Sequence, residues 1–164
     1  FNVEYRRVDG GGGWPETGDD VLAAIDLLDA DVVTLGHSAG GHLAVWAAAR
    51  HPRVVGAVAQ AGVLDFLQHL QITRRAAELL GGTPDEVPAR YADASPAALL
   101  PIAKPMVLVH GTEDEDVPVA QSAAFAASSG AEYVELPGTG HMELIDVGHP
   151  AWAVCRDAAL RLAR

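Results

Sequence analysis

Short apolar runs alternate along this chain with longer segments of helical spacing, and few architectures accept that rhythm. Val32-Val33-Thr34-Leu35 is rich in β-branched residues and shows no polar alternation, the pattern of a strand buried on both faces. Val54 to Ala59 repeats it, and Met106 to Val109 and Glu132 to Leu136 are the next predicted strands. A further strand is expected at residues 2–8, where Val3, Tyr5 and Val8 precede a loop from Gly10 to Pro15. Between the runs, Val21, Leu22, Ile25 and Leu28 recur at helical spacing after Asp19 and Asp20, up to Ala30. Ala39 to His51 is small and apolar nearly all round, which reads as a buried helix stopped at Pro52. Ala120 to Ser129 and Pro150 to Arg164 supply two more helices. The series implies one α/β domain over residues 1–164, a mostly parallel sheet with helices on both faces. Residues 61–104 break the rhythm: they hold a helix over Thr73 to Leu80 and a Pro-rich crossing from Gly81, and read as a cap-like insertion over a site.

Charge removes one class of function. Lys and Arg number 11 against 22 Asp and Glu, a net charge of −11, the wrong sign for gripping a phosphate backbone. No nucleic-acid partner is expected. The longest strictly apolar run, Leu43 to Ala49, has seven residues, whereas a membrane span needs about 20. Cys155 has no partner for an internal disulfide and reads as a buried apolar residue of the last helix. The first residues lack the layout of a signal peptide, so the expected compartment is the cytoplasm. No P-loop, H-E-x-x-H or C-x-x-C occurs, and no cofactor or resident metal is expected.

In an open parallel sheet, ligands bind beyond the carboxyl ends of the strands, so the residues that follow each strand carry the information. After Leu35 comes Gly36-His37-Ser38-Ala39-Gly40, a G-x-S-x-G between a predicted strand and a predicted helix. A serine at so sharp a turn needs small residues two before and two after it, which Gly36 and Gly40 provide. The Ala39 N–H, at a helix start, is placed to stabilise an oxyanion. A serine hydroxyl needs a base, and the base needs a group to hold its tautomer. After Val109 comes His110-Gly111-Thr112-Glu113-Asp114-Glu115-Asp116, and after Leu136 comes Pro137-Gly138-Thr139-Gly140-His141. The order Ser38, Asp114, His141 is that of a serine-hydrolase triad. Asp116 is the reserve acid and His149 the reserve base. Four adjacent acids, Glu113 to Asp116, also suit a solvated loop or a cation site. Trp14 fits either a pocket wall or core packing, with packing preferred.

These motifs resemble those of the α/β-hydrolases, and within them the branch of prolyl-oligopeptidase-like acyl-peptidases, feruloyl-type carboxylesterases and kynurenine-formamidase-like enzymes. Gly36 to Gly40 is similar to the branch's serine motif, and His110-Gly111-Thr112-x-Asp114-x-x-Val117-Pro118 to its acid motif. Gly81-Gly82 through Arg90-Tyr91 to Ala94-Ser95-Pro96 is similar to the stretch before its acid-bearing strand. The resemblance covers essentially the whole chain and singles out Asp114 as the acid. It implies a serine hydrolase of esters or small amides, first of all a carboxylesterase, with acyl-peptidase, formamidase or a non-catalytic binding protein of the same fold as alternatives. It further implies strands ahead of the elbow and a second oxyanion donor that precede residue 1. Residues 1–164 are therefore expected to be the C-terminal part of a longer enzyme, poorly soluble and nearly inactive alone. Oligomeric state is open.

Overall fold

The computed structural model describes residues 1–164. Four parallel strands, β1 (Val32–His37), β2 (Val54–Gln60), β3 (Met106–Gly111) and β4 (Glu132–Leu136), lie side by side in sequence order. The helices are α1 (Glu16–Asp26), α2 (Ala39–Arg50), α3 (Leu70–Leu80), α4 (Pro88–Ala94), α5 (Ala120–Ser129) and α6 (Pro150–Leu162). This is the α/β architecture that the alternation predicts, and the boundaries of β3, β4, α2 and α5 fall within two residues of expectation.

Successive strand residues point to opposite faces, and each face builds its own core. Ala57, Ala59 and Leu108 belong to the larger one, packed with Ile25 of α1, Leu43 and Trp46 of α2, Leu80 of α3 and Phe125 of α5. Val58, Val107 and Val109 point the other way, against Ala151, Cys155 and Ala158 of α6. Cys155 is a free, buried thiol, as its apolar context suggests. Trp14 is buried edge-on against Trp46, with ring centroids 4.8 Å apart, and its indole N–H donates to Asp93 Oδ2 at 2.8 Å. Packing and not a pocket wall explains it. No helix is long and apolar enough to cross a membrane.

Three expectations need correction. Residues 2–7 belong to no strand, and Val8–Gly10 is a single 3-10 turn. An extended segment becomes a strand only through a ladder partner. Here the Arg6 N–H goes to Asp20 Oδ2 and the Arg6 carbonyl accepts from Thr17 Oγ1, so side chains replace the ladder. For the same reason β1 is not buried on both faces. It pairs only with β2, its residues are half-buried, and Leu35 is 38% exposed. A groove of about 740 Å³ runs between β1, α1 and residues 1–5. Lastly, α1 starts at Glu16 and ends at Asp26, one turn earlier than its apolar spacing suggests, with Glu16 and Asp19 supplying negative charge in its first turn.

Candidate active site

Ser38 stands between the last residue of β1 and the first of α2, at φ 56° and ψ −118°. For a residue with a Cβ that region is sparsely populated, and it is held by the surrounding structure. The Ser38 N–H donates to Gln60 O at the end of β2 at 2.8 Å, and its carbonyl accepts from His42 N. Gly36 shows how tight the turn is: a Cβ there would lie 2.0 Å from the Gly40 carbonyl oxygen. Gly40 itself departs from expectation, because a Cβ on it would meet nothing within 4 Å. The close approach consumes the space at Gly36 alone. At the next position Gly41 is confined, with Gly62 Cα 2.8 Å from a built Cβ. Ala39 opens α2, where the first-turn N–H groups have no partner within the helix.

The candidate acid and base come from the β3–β4 half of the sheet. Asp114, in the loop after β3, has a fully buried side chain. Its Oδ2 accepts from His141 Nδ1 at 2.6 Å, and its Oδ1 accepts from the N–H groups of Asp116 and Val117 at 2.9 and 2.8 Å. Burial pushes the carboxyl upward, but the Val117 N–H, the His141 imidazole and the Asp116 N–H outweigh it and hold it below its ordinary value. Asp114 is thus a stable carboxylate that fixes the His141 proton on Nδ1 and leaves Nε2 as the basic nitrogen. The reserve candidates do other work. Asp116 is exposed and offers its backbone N–H to Asp114, while His149 caps α6 by accepting from Ala151 N at 3.2 Å. Glu113, Glu115 and Asp116 stay at the surface while Asp114 turns inward, so the four acids do not converge.

Two further histidines hold this arrangement. His110, fully buried at the end of β3, places Nε2 3.0 Å from Val117 O and 3.2 Å from Asp114 Oδ2. Both are acceptors, so Nε2 carries the proton, and Nδ1 accepts from the Ser122 hydroxyl of α5 at 2.8 Å. Burial lowers the pKa of His110 and keeps it neutral. His37, the residue before the serine, donates Nε2–H to the His141 carbonyl at 2.9 Å, and the two imidazole rings lie 4.2 Å apart. Burial pushes His37 down as well. Both stand inside the serine and acid motifs, but the sequence assigns neither a role. The available signal was position: each is the last or next-to-last residue of a strand whose carboxyl end faces the site.

Ser38 and His141 are brought to the same end of the sheet, bridged by His37, but no hydrogen bond joins the hydroxyl to the imidazole, and His141 Nε2 has no partner. Such contacts are often long without substrate and tighten in the complex. Beside Ser38 and Ala39 opens a cavity of about 270 Å³, walled by Leu43 of α2 and by Phe66, Ile72 and Leu79 from residues 61–104. His42 is completely buried among Trp14, Phe66 and this wall, donates Nε2–H to Ala94 O at 2.8 Å, and is pushed by burial down to about 4. It is a neutral structural histidine.

The sequence profile of the prolyl oligopeptidase family matches residues 18–136, most of the chain and both the serine and the acid segments. The chain belongs to that family. Solved structures carry the same α/β-hydrolase fold. A truncated carbohydrate esterase from gut microbiota superposes with a TM-score of 0.77 at 20% identity, over 99% of this chain and 73% of that one. A thermophilic esterase of the planctomycete Thermogutta terrifontis gives 0.71 at 21%, over 96% of this chain and 67% of that one. The acylaminoacyl peptidase of Pyrococcus horikoshii gives 0.71 at 21%, over 91% of this chain but only 27% of its own. No curated protein sequence matches.

Proposed function

We propose that this member of the prolyl oligopeptidase family is a serine hydrolase that cleaves a carboxylic ester or small amide through an acyl-enzyme, with esters as its first substrates. The observation that carries the reading is the serine held at φ 56° at the carboxyl end of β1, at the same end of the sheet as a His141 imidazole oriented by a buried carboxylate. In this reading His141 Nε2 takes the Ser38 proton as the oxygen attacks the carbonyl, and later returns it to the leaving group. Asp114 keeps Nδ1 protonated and stabilises the imidazolium. The Ala39 N–H faces the developing oxyanion. Residues 61–104 act as the cap that shapes the acyl pocket. Esters come first because two of the structures it resembles are esterases.

A fluorophosphonate probe tests it directly. The folded protein is labelled at Ser38, and Ser38→Ala abolishes both the label and p-nitrophenyl ester turnover, a loss of about 10⁴-fold or more. A folded protein that takes no label, or a Ser38→Ala variant that keeps more than about a tenth of the turnover, overturns the reading in favour of a non-catalytic binding protein.

A further inference from the structure

Acidic residues outnumber basic ones two to one in this chain, yet the cavity beside Ser38 reverses that balance. Arg7 and Arg75 line it together with the apolar side chains Phe66, Ile72 and Leu79, and no Asp or Glu does. The bonding of the other bases sets these two apart. Four arginines pair with a carboxylate, and Arg53, Arg90 and Lys104 donate to backbone carbonyls. Arg75 makes neither kind of contact. Arg7 has only a 3.7 Å approach to Glu4, a residue as exposed as itself. Arg74 and Arg164, the remaining bases, lie outside the cavity. Two arginines without a committed partner thus line an apolar cavity that Ser38 also lines.

An apolar wall strengthens the attraction of a cation for an anion seated beside it. It also penalises a neutral polar chain that would leave the guanidinium desolvated without compensation. We infer that the substrate of this site is an anionic ester or amide, one that carries a carboxylate on its acyl or its leaving portion, and that Arg75 with Arg7 reads that charge. The inference rests on the hydrolase reading above. The planar guanidinium offers parallel N–H donors that match a carboxylate, which makes the selection geometric as well as electrostatic. Both arginines are solvent-exposed, so the preference is moderate and screened by salt.

The test compares charged and neutral esters through the ratio of their kcat/KM values. Mono-p-nitrophenyl glutarate against p-nitrophenyl butyrate reports a charge on the acyl side, and 4-carboxyphenyl butyrate against phenyl butyrate reports one on the leaving side. In at least one arm, Arg75→Gln lowers the charged-to-neutral ratio about fivefold, the scale of one exposed ion pair. Adding Arg7→Gln lowers it further, and raising ionic strength lowers it in the unaltered protein. Damage to folding depresses both esters together and leaves the ratio where it was. Arg74→Gln, on the same helix but outside the cavity, also leaves the ratio in place. If Ser38-dependent hydrolysis persists but the ratio ignores Arg75→Gln and salt in both arms, the charge reading is overturned alone. If none of the four esters is hydrolysed in a Ser38-dependent way, the hydrolase reading falls and takes this one with it.

Discussion

On the β1–α2 side of the site geometry is imposed by backbone atoms, and on the β3–β4 side it is imposed by shared protons. Ser38 is held because its turn has no spare volume: the Gly40 carbonyl occupies the place of a Gly36 side chain, and Gln60 O pins the serine N–H. Asp114 is held because four donors converge on two oxygens, from His141, His110, Asp116 and Val117. The loops on that side are laced as well. The Glu113 N–H donates to Thr139 O, the Gly138 N–H to Thr112 Oγ1, and Gln60 Nε2 reaches across to Leu144 O. The first side therefore cannot accept an added atom at Gly36, whereas the second cannot accept a lost charge or a misplaced proton.

The largest effect expected from that contrast is on the proton-sharing side. Asp114→Asn keeps the shape but replaces an acceptor with a donor opposite His141 Nδ1. Ester kcat should fall by about 10³ to 10⁴ with thermal unfolding nearly unchanged. Asp116→Asn, at an exposed position, should do far less, and the reverse result would move the acid to Asp116. The backbone side responds in stability. Gly36→Ala drives a Cβ into the Gly40 carbonyl and should cost about 3 kcal/mol or more by urea unfolding. Gly40→Ala is the smallest: with open space around its Cβ in a helical residue, stability should hold or rise by up to about 1 kcal/mol. Equal costs at the two glycines would show that the turn is not crowded in the one-sided way described.

That asymmetry also explains what could be read in advance. Steric demands leave marks in the chain, since only particular residues fit, so the G-x-S-x-G between a predicted strand and a predicted helix points to Ser38 from residue order and spacing. Hydrogen-bond networks leave weaker marks. His110 reaches Asp114 only because β3 and its loop fold back on each other, and Ser122, whose hydroxyl donates to Nδ1 of that ring, sits on a helix whose sequence is unremarkable for a buried face. His37 is adjacent to the serine in sequence, but its bond to His141 spans 104 positions. Residues 2–8 misled for another reason. Alternating apolar residues state a tendency to extend, but a strand exists only when a neighbour supplies the ladder, and that information is not local. The space at Gly40 was overestimated as a constraint because a motif names two glycines without saying which of them is crowded.

The positive φ at Ser38 carries a thermodynamic debt that is independent of any substrate. Backbone in that region costs a residue with a Cβ about 1–3 kcal/mol, and the native state bears this cost while the unfolded chain does not. On the proposed function, activity and stability are therefore opposed at a single atom, since the Cβ that carries the proposed nucleophile is also the source of the strain. Ser38→Gly should unfold at a higher temperature than the unaltered protein while being catalytically dead, and a lowered Tm would mean that the hydroxyl contributes more to the folded state than its backbone takes away. If the Tm rises, the elbow is a place where the chain has given up part of its own stability to hold one side chain at the cavity wall.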